Sequence, residues 1–244
     1  MVSSSDADTA HRGLQEGLPR RYLQLFSRDA IYGHVRLSRD IHPDQVHVSL
    51  DEKGDLWELT VVTLDKPFLF SNICGVLSSF GMDILRGHAL TNPNGFVLDI
   101  FQFTDQERFL ELNRDAREQI VHELADVVSG RSDVYAHLRA RERGALHRRG
   151  APRFAPTIHT DNQSSRRYTI LDIIANNALG LLHRISRVIS RHGCDVDLVL
   201  ISTEGEKAID VFHITKAGAK LSDAAQLELT ADLQRMLEGS DEVD

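Results

Sequence analysis

Two asparagines and a glycine mark the start of one predicted helix. Asn176 and Asn177 precede Gly180, and apolar residues with helical spacing follow the glycine. A helix N-terminus leaves about four backbone N–H groups without partners and carries a partial positive charge, so it can bind a carboxylate. Gly180 has no Cβ to obstruct a ligand on that turn, and the two side-chain amides supply hydrogen-bond donors and acceptors. These residue types suit a small molecule with carboxylate, ammonium and amide groups.

The same residues also allow a purely structural interpretation. Asparagine is a common N-cap, and a glycine permits tight packing of a helix on a sheet. The local residues leave both interpretations open. If a ligand binds here, its contacts are the asparagines and the turn that follows them, namely Asn176, Asn177, Ala178, Leu179, Gly180 and Leu181.

The sequence contains this design twice. Residues 65–85 (DKPFLFSNICGVLSSFGMDIL) and 176–200 (NNALGLLHRISRVISRHGCDVDLVL) each place an apolar helix before a glycine and a strand. The two glycines, Gly81 and Gly193, are 112 residues apart (193 − 81 = 112). The chain therefore consists of two related units.

The first unit departs from the second at the glycine of the helix start. Phe68 stands 112 residues before Gly180, and its ring would fill the groove at the helix start where a ligand could bind. The letters DKP still offer an aspartate cap and a proline suited to a first helical turn. We therefore predict that the second site binds if either does, and that the first is weaker or structural. The first-site residues are Asp65, Lys66, Phe68, Leu69, Asp83 and Ile84.

Residues that perform catalysis or bind metals lack the required spacing. Cys74 and Cys194 each stand alone, which disfavours a disulfide framework or a thiolate metal site, so we predict two buried apolar residues. We interpret the histidines on predicted helices as solvated or packing residues rather than metal ligands. Neither Ser-His-Asp nor Cys-His chemistry follows from the sequence. We predict no catalytic residue, no metal and no cofactor.

Hydrophobic periodicity predicts the same order of elements in both units. In the first, alternation over 56–63 indicates a strand, and residues 84–91 and 96–103 form a hairpin around the turn NPNG. A helix follows Asp105, with Leu112 on its apolar side. The second unit repeats the pattern with YTILDIIA, VDLVLIST, AIDVFHIT and a helix after Ser222. This order predicts an α+β fold with helices on one face of an antiparallel sheet.

A fourth strand for each sheet is expected upstream of its unit. QVHVSL at 45–50 and PTIHT at 156–160 each precede the first strand of a unit across a turn-rich segment. We infer that each completes its sheet as an N-terminal strand. The alternative, in which 156–160 is the last strand of the first unit, stays open.

Composition and charge divide the chain into regions. The linker between the two units, residues 131–155, carries seven arginines and two acidic residues, which gives a net charge of 7 − 2 = +5. We interpret it as a solvated helix followed by a loop, in preference to a contact site for an anion or a protein. The predicted regions are a disordered start at 1–18, a short helical segment at 19–44, a first domain at 45–130, the basic linker at 131–155 and a second domain at 156–244.

The overall charge and hydropathy exclude several classes of protein. The chain has 28 basic and 36 acidic residues and a formal charge of −8, which disfavours nucleic acid as the main partner. No apolar run approaches the roughly 18 to 20 residues of a membrane span, and the first residues lack the apolar core of a signal peptide. We therefore predict a soluble, cytoplasmic protein that binds neither nucleic acid nor membrane.

Several motifs are similar to those of a known regulatory family. LPRRYL, HVRL, APTIHTDN, RYTILDI and ISTEGEKAIDVFHIT resemble the C-terminal regulatory half of the bifunctional uridylyltransferase/uridylyl-removing enzymes, which are bacterial nitrogen sensors. Each unit resembles an ACT domain, a ferredoxin-like fold that binds small molecules. The resemblance implies two such domains with four-stranded sheets and an effector amino acid in the second groove, glutamine being the first candidate. It also places Asp195 and Val196 beside the loop that begins at Asn176.

The resemblance also specifies what catalysis would need. The family's transferase domain has a Gly-Ser turn before an Asp-x-Asp pair, and its phosphohydrolase domain has a His-Asp dipeptide. The DVD at 195–197 has no such turn before it, and none of the 12 histidines precedes an aspartate. We expect a regulatory protein, not an enzyme, that binds an amino acid, acts on an unidentified protein partner and forms a homodimer. The alternative is a ligand-free interaction module with vestigial grooves.

Overall fold

The computed structural model covers most of both units. It describes Leu18 and residues 22–39, 41–42, 45–144 and 154–239, without the side chains of 142–144. The predicted disordered start at 1–18 lies outside the described residues except for Leu18. Residues 145–153 of the predicted linker also lie outside them. None of the described helices combines the length and the apolarity that crossing a membrane requires.

Each unit has the predicted order of helices and strands. Two helices precede the first unit, α1 (Tyr22–Leu25) and α2 (Arg28–Leu37). The first unit contains β1 (His47–Lys53), β2 (Leu56–Leu64), α3 (Leu69–Ser79), β3 (Asp83–Thr91), β4 (Phe96–Thr104), α4 (Phe109–Leu112) and α5 (Ala116–Val128). After the linker helix α6 (Val134–Gly144), the second unit contains β5 (Thr157–Asp161), β6 (Thr169–Asn176), α7 (Leu181–Arg191), β7 (Cys194–Glu204), β8 (Lys207–Lys216) and α8 (Asp223–Leu237).

The two predicted sheets are joined into one antiparallel sheet of eight strands. Its order is β1-β2-β4-β3-β7-β8-β6-β5, and the halves meet where Gly87 of β3 pairs with Val199 of β7. These two residues are 112 positions apart, the offset between the units, so each is paired with its own counterpart. The junction therefore lies on a pseudo-two-fold axis. The predicted α+β fold with four-stranded antiparallel sheets is confirmed, but the sequence did not predict that the sheets join.

The strand at 157–161 belongs to the second unit. β5 pairs with β6 at the outer edge of the second half-sheet, and β1 pairs with β2 at the opposite outer edge. Both units thus obtain their fourth strand from the N-terminal side. This pairing decides between the two arrangements that the sequence left open.

The central helices pack against each other on one face of the sheet. At the contact between α3 and α7, His183 Nδ1 donates a hydrogen bond of 2.7 Å to the carbonyl oxygen of Ser71, its counterpart at the 112-residue offset. Helix α6 packs over α3, where a Cβ on Gly75 would overlap Val134 Cγ2. The main hydrophobic core lies between these helices and the sheet.

Helices α1 and α2 lie on the opposite face of the first half-sheet. The Tyr22 hydroxyl lies 3.1 Å from His34 Nδ1, which connects α1 to α2. Tyr22 is buried there in a second hydrophobic cluster with Val62, Leu90, Leu98 and Ile100. Burial against these strands explains why so short a pair of helices is stable.

The helix predicted after Asp105 is interrupted. The Asp105 carboxylate accepts hydrogen bonds of 2.9 and 2.7 Å from the backbone N–H groups of Phe109 and Leu110, which starts α4. The backbone then becomes extended at Asn113 (φ −116°, ψ 114°), and α5 begins separately. The prediction that Leu112 lies on the apolar side of one helix is wrong, because Leu112 is 71% exposed.

Candidate functional site

The turn before α7 depends on a glycine for two reasons. Gly180 adopts φ 68°, the left-handed conformation that favours glycine. A Cβ at this position would lie 3.3 Å from the methyl carbons of Leu138 on α6. Hydrogen bonds from Leu181 N–H to the Ala178 carbonyl oxygen (3.1 Å) and from Arg184 N–H to that of Gly180 (3.0 Å) then start the helix.

The two asparagines of the predicted site have different surroundings. Asn176 Nδ2 donates a hydrogen bond of 2.9 Å to the carbonyl oxygen of Phe154, and Asn176 Oδ1 accepts one of 3.4 Å from Phe154 N–H. Asn176 therefore anchors the C-terminal end of the linker. Asn177 is exposed, and its backbone N–H donates a hydrogen bond of 2.8 Å to the Glu206 carbonyl oxygen.

A cavity of about 340 Å³ lies where the second-unit loop faces the first unit. Asn177, Ala178, Leu179, Gly180 and Leu181 of the predicted site all line it. The first unit contributes Ser78, Gly81, Met82, Asp83 and Ile84, the linker contributes Arg141, and the second unit adds Leu182, Ile201, Thr203, Ala208 and Asp210. The site is composite, because both units and the helix between them form its walls.

The sheet junction explains this grouping. Antiparallel pairing of Arg86 with Leu200 places the start of β3 beside the end of β7, and from there Asp83 and Ile84 reach the loop before α7. The sequence assigned both residues to the first-unit site. Asp195 and Val196, which the resemblance placed beside the Asn176 loop, are not among the residues that line the cavity.

Asp195 lies instead beside the first-unit loop. Partial desolvation and then the nearby Asp65 carboxylate raise the pKa of Asp195. Lys66 Nζ donates a hydrogen bond of 3.5 Å to the Val128 carbonyl oxygen at the end of α5. Each loop of the predicted sites is thus completed by the strand of the other unit.

Phe68 adopts the left-handed conformation of its counterpart Gly180, with φ 62°. A bulky side chain in this region is strained by about 1 to 3 kcal/mol. The Arg187 guanidinium lies 4.8 Å from the centre of the Phe68 ring and 5.0 Å from that of Tyr135. The first-unit helix start therefore carries a stacked ring where the second borders the cavity. Leu69, the first residue of α3, is buried behind the ring.

Asp210 is a buried acid that sequence reasoning missed. It is 2% exposed, its Oδ1 has no hydrogen-bond partner among the described residues, and burial raises its pKa to about 7. A signal was present in the sequence, because Asp210 alternates with Ala208, Phe212 and Ile214 on the buried face of β8. An acid in the buried phase of a strand is unusual unless it is paired.

Two further charged side chains reach the cavity. Desolvation raises the pKa of Asp83, whose Oδ2 accepts a hydrogen bond of 3.1 Å from Gln106 Nε2. Arg141 Nη2 lies 2.9 Å from Glu107 Oε2. The cavity therefore contains one guanidinium and two carboxyl groups, and sequence reasoning did not identify the guanidinium because it lies in the linker.

The linker helix is more than a solvated connection. Val134 and Leu138 of α6 are 4% and 8% exposed and belong to the main core. The arginines of α6 therefore alternate with an apolar face that packs on the units. This packing holds Arg141 at the cavity.

Among the described residues, no group of three or more histidine, cysteine or acidic side chains is arranged to bind a metal ion. Cys74 and Cys194 are free and buried, as predicted. Burial raises the pKa of both thiols, so neither is a reactive thiolate at neutral pH.

Comparison with known proteins found relatives among the bifunctional uridylyltransferase/uridylyl-removing enzymes of bacteria. The chain is 29% identical over 220 residues to the bifunctional uridylyltransferase/uridylyl-removing enzyme of Azospirillum brasilense, covering 87% of this chain and 23% of the relative. It is 30% identical over 229 residues to that of Gluconobacter oxydans, with 88% and 23% covered. For the enzyme of Burkholderia lata the identity is 33% over 240 residues, with 94% and 27% covered. No family model matches the chain.

These similarities confirm the resemblance that the motifs predicted. The alignments cover nearly the whole chain, so both units and the linker are included. The chain spans about a quarter of the length of the curated relatives it matches. It is therefore a homologue of a non-catalytic portion of the bifunctional uridylyltransferase/uridylyl-removing enzymes.

Proposed function

We propose that the chain is a regulatory protein that binds a small amino acid, with glutamine as the first candidate, and transmits binding to a partner protein. The observation that carries the proposal is the composite cavity at the sheet junction. A ligand in it contacts both units and α6, so it stabilises one arrangement of the three. Couplings of this kind are typically about 1 to 3 kcal/mol.

The cavity suits an amino acid in size and polarity. Its volume of about 340 Å³ is at the small end of ligand sites, which span roughly 300 to 1,000 Å³. The N-terminus of α7 and Arg141 favour a carboxylate, Asp83 and Asp210 favour an ammonium group, and Asn177 can pair with an amide. Glutamine carries all three groups. Both walls come from one chain, so the expected homodimer is not needed to form the site.

A regulatory role also agrees with the relatives. They are named for uridylyl transfer and uridylyl removal, and the chain matches about a quarter of their length. The proposal assigns neither reaction to this chain. An assay with UTP and candidate nitrogen-signalling proteins is expected to show no uridylyl transfer, and turnover by the purified chain would overturn the regulatory proposal.

A thermal-shift screen against the twenty amino acids, followed by calorimetric titration, tests ligand binding. A ligand at 100 times its dissociation constant stabilises by about 2.7 kcal/mol, and each kcal/mol raises Tm by roughly 2 to 4 °C for a chain of about this size. We expect glutamine to give such a shift and Gly180→Phe to abolish it. Phe68 shows that phenylalanine can occupy this backbone conformation in the same fold.

The matched control is Gly205→Phe in the turn between β7 and β8. Gly205 also has a left-handed φ, 62°, but no atom lies within 4 Å of a Cβ built there. The control variant should therefore carry similar backbone strain and still bind glutamine. If no amino acid raises Tm, the chain is better explained as a ligand-free interaction module. The first-unit groove, which Phe68 fills, already has the form expected of such a module. A pull-down would then be the next experiment.

A further inference from the structure

Asp210 is a buried acid beside the cavity, where a cationic partner would stabilise its charged form. It lines the cavity while being 2% exposed, and its Oδ1 has no hydrogen-bond partner among the described residues. The other charged groups that line the cavity are Asp83 and Arg141, and Arg141 is paired with Glu107. Asp210 is also close enough to Cys74 of α3 to help raise the pKa of its thiol, after burial and Asp99. Asp210 thus borders a space that the protein itself does not fill.

A buried carboxylate without a partner is unfavourable. It is stabilised by taking up a proton or by a cation that also donates hydrogen bonds. A primary ammonium group has a compact positive charge and three N–H donors, so it meets both needs. A hydroxyl or an amide of the ligand would supply donors without the charge.

We infer that Asp210 binds the ammonium group of the ligand and thereby selects amino acids over acids of the same shape that lack the amino group. The inference rests on the proposed amino-acid site and identifies its specificity-determining residue. If the ligand's ammonium group binds Asp210 on β8, its carboxylate can bind the N-terminus of α7.

Asp99 provides a matched control from the other unit. It pairs with Val61 in the register in which Asp210 pairs with Ile173, and 61 and 173 differ by 112, so the two acids are structural equivalents. Asp99 is 1% exposed and its Oδ1 also has no hydrogen-bond partner among the described residues. It does not line the cavity. Asp99→Asn therefore replaces a similar buried carboxyl group away from the ligand.

The test is calorimetric titration at pH 8 with glutamine and with 4-carbamoylbutanoate, which is glutamine without its amino group. A hydrogen bond to a charged group predicts that wild type binds glutamine at least about tenfold more tightly than the analogue. We expect Asp210→Asn to weaken glutamine binding by a similar factor and to leave the analogue unchanged, so that discrimination disappears. Asp99→Asn should leave both affinities unchanged.

The outcomes separate this inference from the proposed function. If glutamine binds and Asp210→Asn keeps the preference for glutamine, the inference is overturned while the amino-acid site stands. Equal binding of the two compounds by wild type overturns it in the same way. If wild type binds neither compound, both the glutamine site and the role of Asp210 are rejected.

Discussion

The starts of α3 and α7 have the same backbone conformation but different side chains. Gly180 and Phe68 are equivalent, and both adopt the left-handed conformation. One borders a cavity, whereas the other carries a ring stacked under Arg187. Since the fold holds the same turn in both units, the two helix starts differ in the residue at this position and in the linker helix that lies against Gly180. A duplicated groove can therefore be kept or filled without altering the architecture.

A second substitution accompanies the first. Gly75 of α3 is equivalent to Arg187 of α7 at the 112-residue offset. The missing side chain lets Val134 of the linker helix approach α3, whereas Arg187 on the other side covers Phe68. The linker helix thus lies over the junction so that Leu138 and Arg141 face the open site. The two units therefore differ at two positions, Phe68/Gly180 and Gly75/Arg187, and these differences place the linker helix beside the second-unit groove.

The largest effect is expected from neutralising the buried acid of the open site. The folded-state pKa of Asp210 is about 7 against an ordinary value of 3.8, so the folded protein holds this proton more tightly than the unfolded chain. The free energy of unfolding therefore falls as pH rises from about 4 to about 7 and is level above that. Asp210→Asn should remove this loss and stabilise the ligand-free protein at pH 8 by up to about 4 kcal/mol, with little effect at pH 4.

Urea unfolding at the two pH values measures that difference. The control is Asp172→Asn, because the Asp172 side chain is 46% exposed on the neighbouring strand and lies 3.8 Å from His159 Nδ1. A surface change of this kind should alter the free energy of unfolding by less than about 0.5 kcal/mol at either pH. If Asp210→Asn were destabilising to the same extent at both pH values, the acid would have an unrecognised partner in the folded protein.

A smaller effect is expected from filling the space that the linker helix uses. Gly75→Leu would force Val134 and α6 away from α3, and overpacking of this kind costs about 1 to 3 kcal/mol. Thermal unfolding should show a lower Tm than wild type. Gly33→Leu in α2 is the control, since no atom lies within 4 Å of a Cβ there. An unchanged Tm for Gly75→Leu would mean that α6 is loosely held.

Affinity for an amino acid should also depend on pH. Only the ionised form of Asp210 pairs with an ammonium group, so lowering the pH from 8 to 6 across a pKa of about 7 should weaken binding about tenfold. Among the described residues, Asp83, Arg141 and Cys74 are the other titratable groups around it, and burial raises the pKa of Asp210 to about 7. Calorimetry of Asp210→Asn should show a flat profile between these values. A profile equally steep in the variant would assign the titration to another group.

Much of the fold was predictable because local sequence periodicity specifies most helices and strands of each unit. Alternation marks β2, helical spacing marks α3 and α7, and the repeated glycines fix the correspondence between units. The joining of the two half-sheets was not predictable, because the exposed edges of β3 and β7 pair over a long sequence distance. The interruption after α4 depended on a side chain, Asp105, capping a single turn.

The lining of the candidate site was predictable in part for the same reason. The loop from Asn177 to Leu181 follows from a local motif, and it lines the cavity. Its partners on β3 and α6 come from other parts of the chain, so they depended on the junction that the sequence did not specify. Asp210 could have been found from its buried phase in β8, without knowledge of what it faces.

The smallest effect on stability, and the sharpest test of the comparison, is expected from Phe68→Gly. The change relieves about 1 to 3 kcal/mol of left-handed strain and loses a comparable amount of ring packing and of contact with Arg187, so Tm should change little. The groove beside Asp65 and Asp195 would then be open, with Asp99 as the equivalent of Asp210. Calorimetry should detect a second, weaker binding event for glutamine, while Phe68→Leu, which keeps a side chain in the groove, should bind once. A single site in Phe68→Gly would show that the ring is not what closes the first groove, and that the difference between the units lies in the acids around it.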